Sequence, residues 1–125
     1  MGQLKEIVFD ASHPAALARF WVEVLDGYAI RAYDDAEIAR LARVGFTPET
    51  DPTVMVDGPG PSLCFQIMDG PKHERNRVHL DVTVDDRDAE VVRLIGLGAT
   101  VAREEEHYTV MRDPEGNNFC LADPR

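Results

Sequence analysis

An internal echo constrains this chain more than any other feature. Thr53-Val54-Met55-Val56-Asp57-Gly58-Pro59-Gly60 is answered by Thr109-Val110-Met111-Arg112-Asp113-Pro114-Glu115-Gly116, sharing a Thr-Val-Met triplet, an Asp and a closing Gly. Behind each copy, Phe65-Gln66-Ile67-Met68-Asp69 is answered by Phe119-Cys120-Leu121-Ala122-Asp123. A repeat of this extent in 125 residues implies two similar modules, with a ligand site expected where they meet.

The periodicities supply the elements. Residues 4–11 alternate, with Ile7, Phe9 and Ala11 on one face and Glu6, Val8 and Asp10 on the other, which is the period of a half-buried strand. Ser12-His13-Pro14 reads as a helix start, because a first-turn proline gives up no intrahelical hydrogen bond. Leu17, Phe20, Trp21, Val24 and Leu25 then recur at helical spacing as far as Gly27, and Tyr28 to Tyr33 reads as a strand. The second module opens alike. Val78, Leu80, Val82 and Val84 make an apolar strand face opposite His79, Asp81 and Thr83. Asp85 or Asp86 caps a helix whose Val91, Leu94 and Ile95 are expected to face inward. Ala99 to Arg103 follows as a strand, and His107 to Arg112 with Asn118 to Asp123 as a hairpin.

The resulting expectation is an α+β fold of two tandem βαβββ modules, forming a curved mixed sheet with helices on the outer face. Module one spans 1–70 and carries a helical insertion at 34–52; module two spans 71–125, after the turn-rich link Gly70 to Asn76. Helices on one face leave the polar strand positions on the other, so Glu6, Gln66, His79 and Cys120 are expected to line a groove between the sheets. A slip of one residue would invert that assignment.

Charge and cysteine content narrow the function classes. Thirteen Lys and Arg against 23 Asp and Glu give −10, which disfavours nucleic acid and anionic membranes as partners. No run of about 20 apolar residues and no signal-peptide pattern is present, so a cytoplasmic protein is expected. Cys64 and Cys120 sit in apolar strands without CxxC spacing and are expected to be reduced thiols.

Taken together, the Pro-x-x-Leu-x-x-Phe-Trp helix (Pro14 to Trp21), Asn-Arg-Val-His-Leu-Asp-Val (Asn76 to Val82) and Asp-Pro-Glu-Gly-Asn-x-Phe-Cys-Leu (Asp113 to Leu121) resemble the glyoxalase/bleomycin-resistance/dioxygenase group, the vicinal oxygen chelate superfamily, and within it the glyoxalase-like subgroup. The resemblance covers essentially the whole chain. It implies a divalent-ion position at Glu6, Gln66, His79 and Cys120, of which His79 alone keeps the usual residue. Such a mixed donor set suits a hard six-coordinate ion poorly, so no cofactor is expected, with a divalent ion at those four residues as the alternative. The missing carboxylates also argue against a glyoxalase-type isomerisation.

Three functions follow. One is an enzyme acting on a small oxygenated metabolite, with His79 as base or metal ligand and Gln66 polarising a carbonyl. Another is a metal-free protein sequestering a cationic drug, drawn by Glu6, Asp10 and Asp81. The last is an interaction module with an inert groove. Trp21 could close one end of the groove and Tyr108 could reach into it, whereas Asp113 to Gly116 reads as a turn. Asp81 either orients His79 or pairs with Arg77. The resemblance further implies a homodimer whose groove forms within one chain or across two.

Overall fold

The computed structural model describes residues 1–68, 70, 76 and 78–124. The chain divides into two compact units, Met1–Gly70 and Pro71–Arg125. In unit one, β1 (Glu6–Ala11), α1 (Pro14–Val24), β2 (Ala29–Ile30), α2 (Asp35–Arg43), β3 (Thr53–Asp57) and β4 (Ser62–Ile67) follow in order. Unit two runs β5 (Leu80–Thr83), α3 (Arg87–Gly96), β6 (Thr100–Glu104), β7 (Tyr108–Arg112) and β8 (Asn118–Ala122). The sheets have strand orders β1-β4-β3-β2 and β5-β8-β7-β6. The first pair in each is parallel and the others antiparallel. Each unit is therefore a βαβββ module, the first with α2 inserted.

Local chemistry explains the helix boundaries. His13 caps α1 with Pro14 in the first turn. Asp34 caps α2 by accepting from the Glu37 amide at 2.8 Å, and Asp86 caps α3 by accepting from the Ala89 amide at 3.1 Å. After α1 and α3 the chain turns through Gly27 and Gly98, both at positive φ. A Cβ on either would meet a proline ring at 3.3 Å, Pro59 in the first module and Pro114 in the second. The two modules thus use the same close approach of a turn proline to a helix-ending glycine.

That equivalence corrects the alignment drawn from the Thr-Val-Met echo. Ala29 pairs with Asp57 on β3, and Thr100 pairs with Arg112 on β7. Met55 stands opposite Cys64, and Val110 opposite Cys120. Met55 is therefore the counterpart of Val110, not of Met111, and Val54 and Val56 correspond to Thr109 and Met111. All four of these last residues are buried. The turn of the second hairpin is one residue longer, which shifts the echoed triplets out of register and reverses their faces. The same registers make Cys64, facing Val8, the counterpart of Cys120, facing Asp81. Gln66 then corresponds to Ala122, so the Phe65–Phe119 echo is also out of register.

Helix α1 buries Pro14, Ala15, Leu17, Ala18, Phe20, Trp21 and Val24. Trp21 lies 5.6 Å from Phe9, which stacks on Phe65 at 5.1 Å, so the first core is aromatic. Helix α3 buries Leu94 alone. Val92 and Ile95 remain exposed, contrary to the inward position expected for Ile95. Val78 is also exposed, because β5 begins two residues later, at Leu80. The strand expected over Tyr28 to Tyr33 shortens to Ala29–Ile30, where Tyr33 turns away and its hydroxyl donates to the buried Asp51 at 2.8 Å. Most of the inter-module link, residues 71–75, lies outside the described residues, as does Arg77.

Candidate functional site

With α3, Leu94, Thr109, Met111, Phe119 and Leu121 buried on one side, the alternate residues of sheet two face the other way. There they line a pocket of about 560 Å³, within the usual range for small-molecule sites. His79 and Asp81 come from the β5 segment, Asn118 and Cys120 from β8, and Tyr108 and Val110 from β7. Arg103, His107, Asn76 and Asp123 complete much of the rim. The alternation read from the sequence therefore holds for His79, Asp81 and Cys120, and it puts Tyr108 on the pocket side.

Asp81 is the hub. Its carboxylate lies 3.2 Å from His79 Nε2 and accepts a hydrogen bond from the Cys120 thiol. Of the two partners weighed for Asp81, His79 is thus engaged. Burial, followed by the nearby Asp81 charge, pushes the Cys120 thiol up. Cys64 is likewise pushed up by burial and then by Glu6. Neither sulfur is activated as a free thiolate nucleophile at neutral pH. Around the hub, Arg103 is held by Tyr108 and by Glu105, at 2.6 Å. Asp123 holds Arg87 at 3.1 Å, and the Arg87 guanidinium also donates to the carbonyls of Glu105 and Glu106, bracing the β6–β7 loop.

The remaining candidates sit in module one. Asp10 and Gln66 are register neighbours on β1 and β4, both exposed, and Glu6 is half-buried at the start of β1. Trp21 is fully buried against Phe9 and Phe20, so it is a core residue with no surface to offer a ligand. Its helical spacing could not separate a groove wall from a core.

Among the described residues, the group with metal-ligand geometry is His79, Asp81 and Cys120, whose donor atoms lie within 4.8 Å of one another. This differs from the set implied by the resemblance. Gln66 lacks the register of Cys120, and Asp81 enters instead. A nitrogen, an oxygen and a sulfur suit a zinc-like ion and not magnesium or calcium. Asn118, two residues before Cys120 on β8 and lining the same pocket, carries a buried Oδ1 with no hydrogen-bond partner among the described residues. Its backbone amide donates to Asn76 at 3.2 Å. Arg103, His107 and Asp123 were missed; the pairing of β6 with β7, which depends on a bulge near Val101, carried no sequence signal.

Comparison with known proteins fits this architecture. No curated protein matches the chain by sequence. Solved structures do match its fold. A glyoxalase/bleomycin resistance protein/dioxygenase family enzyme from Burkholderia phytofirmans is 15% identical with a TM-score of 0.67, covering 98% of each chain. The fosfomycin resistance protein FosX from Mesorhizobium loti is 15% identical with a TM-score of 0.65, over 98% of this chain and 91% of its own. The trypanothione-dependent glyoxalase I of Leishmania major is 18% identical with a TM-score of 0.63, over 98% and 87%. The family model of the glyoxalase-like domain matches residues 6–122, and the chain belongs to that family.

Proposed function

We propose that this protein binds a small oxygen-bearing metabolite in the module-two pocket and acts on it through the lone pair of His79. The observation that carries this reading is the His79–Asp81 pair at the pocket wall. A carboxylate beside one ring nitrogen fixes the imidazole's orientation and leaves the other nitrogen for a ligand's proton or electrophilic centre. The pocket presents both donors and acceptors, with Arg103 and Tyr108 lining it alongside Asp81 and Asp123. That mixture suits a neutral or oxyanionic metabolite better than a purely cationic drug. We further propose a homodimer, supported by the exposed apolar residues of α3.

A thermal-shift screen of small 2-oxo compounds against cationic glycopeptides tests this reading. A ligand at 100 times its Kd stabilises by about 2.7 kcal/mol. We expect a shift with oxygen-bearing compounds that His79→Ala abolishes. The variant itself should keep its stability, because the His79 side chain is 53% exposed. An undiminished shift in His79→Ala, or a response confined to the glycopeptides, would overturn the reading.

A further inference from the structure

We propose that the module-two pocket takes a short hydroxycarboxylate laid across its sheet, the carboxylate on Arg103 of β6 and the hydroxyl on the His79–Asp81 pair of the β5 segment. The proposal rests on the pocket reading above and adds the ligand's charge, direction and span.

Strand register makes the site. Arg103 stands opposite Val110, Val110 opposite Cys120, and Cys120 beside Asp81, so these residues form one row across all four strands. Each of them lines the pocket. One end of the row is cationic, the middle is apolar and the other end is anionic. Strands about 4.8 Å apart separate the ends by roughly 14 Å at the backbone. The reach of the end side chains, with a hydrogen bond at each, takes up most of that and leaves the length of a short carbon chain. Burial pushes the Cys120 thiol up, Asp81 adds to the effect and Arg103 opposes it, so both charges act at the middle of the row.

A bulge aims the cation. β6 and β7 pair regularly at Thr100–Arg112 and Val101–Met111, and the register then shifts so that Arg103, not Ala102, meets Val110. In an unbroken ladder Arg103 would oppose Thr109, which is buried on the α3 side. The extra residue turns it to the pocket instead, as bulges beside functional sites do. Tyr108 and Glu105, the latter at 2.6 Å, hold the guanidinium, and its five-donor fork keeps N–H groups for a planar carboxylate.

The opposite end accepts. The Asp81 carboxylate and the His79 lone pair can each take a hydroxyl's hydrogen bond, and the buried Asn118 Oδ1 in the same pocket lacks a partner among the described residues. A ligand group bound there must therefore donate. Among the described residues lining the pocket, Arg103 is the only Lys or Arg, against Asp81 and Asp123, which favours a monoanionic carboxylate over a dianionic phosphate. Module one lacks the acceptor end. There Arg31, whose amide donates to Met55, begins the matching row through Cys64 to Val8. Its guanidinium gives two hydrogen bonds to Asp57, and an apolar valine stands in the place of Asp81.

Calorimetric titration of the full chain with γ-hydroxybutyrate and δ-hydroxyvalerate tests this, with their uncharged primary amides and glycolate for comparison. Each acid should bind more tightly than its amide. Both should also bind more tightly than glycolate, whose two groups sit on adjacent carbons and cannot span the row. Arg103→Gln should weaken the acids about tenfold or more and leave the amides unchanged, so that acid and amide become equal. That variant should fold as the wild type does, because the Arg103 side chain is 61% exposed. Arg40→Gln, which removes a charge from α2, should change neither. Failure of the acids to bind, amides that bind as tightly as the acids, an equal loss of both in Arg103→Gln, glycolate binding tightest, or a phosphonate of equal length binding more tightly than the acid would overturn the proposal. The pocket reading is separable: a Tm shift with neutral 2-oxo compounds, lost in His79→Ala and kept in Arg103→Gln, upholds it even where the acids fail.

Discussion

Asp57 shows how a single side chain ties an edge strand to its sheet. Its carboxylate accepts two hydrogen bonds from Arg31, each 2.8 Å, and one from Ser62 at 2.6 Å. Arg31, then Ser62, holds the carboxyl down at about 2. A carboxylate whose native pKa lies below its unfolded value, about 4, stabilises the fold at every pH above that value. The contribution fades as pH falls from about 4 towards 2. Both side chains are exposed, at 56% and 42%, so solvent screening limits the pair to about 1 kcal/mol or less. Urea denaturation of Asp57→Asn should therefore show a small deficit at pH 7 that shrinks between pH 4 and 2 and is absent below. A deficit independent of pH would mean that the lost group acts through packing and not charge.

At the scale of elements, the two modules differ in how their helices are anchored. Helix α1 fixes itself with seven buried residues, whereas α3 relies on Leu94. Leu94→Ala should cost about 2–5 kcal/mol, as deletion of a fully buried leucine does, and hydrogen exchange should quicken first in the α3 amides. Uniform quickening across both sheets would show that α3 does not open ahead of the rest of the fold. This asymmetry was only partly legible in sequence. Periodicity within a segment is local, so the faces of β1, β5 and β8 could be read directly and the cap of α3 narrowed to Asp85 or Asp86, of which the structure uses Asp86. Register between strands depends on turn length, which no window of residues reports. The Thr-Val-Met triplets therefore suggested an alignment that the longer second turn displaces. The Phe65–Phe119 echo likewise pairs Gln66 with Cys120, two residues from the register counterpart, Cys64. Ile95 was misplaced because helical spacing identifies an apolar stripe without saying whether anything covers it. The face of Asp81 follows from strand alternation, but its contact with His79 required geometry.

At the scale of the whole molecule, an apolar surface and a strongly acidic charge work against each other. Val92 and Ile95, one turn apart on α3, are 71% and 49% exposed, and Leu97 just beyond is 43% exposed. Covering them with a second copy removes apolar area from water, which favours association. Each copy also carries −10, so bringing two together is opposed by charge repulsion at long range. Salt acts on the second effect and hardly on the first. Raising ionic strength from about 0.01 to 0.15 M shortens the screening length from about 30 to 8 Å, so a dimer held by these residues should strengthen with salt. Association built on surface ion pairs would weaken instead, and the sign of the salt effect distinguishes the two. Sedimentation equilibrium at both salts should show the dimer fraction rising. Val92→Glu should remain monomeric at both while keeping the wild-type Tm measured under monomeric conditions, because a side chain so exposed contributes little to the folded monomer. A wild-type protein that stays monomeric at 0.15 M salt and concentrations of about 100 μM, or a Val92→Glu variant that dimerises as the wild type does, would rule out α3 as the contact surface.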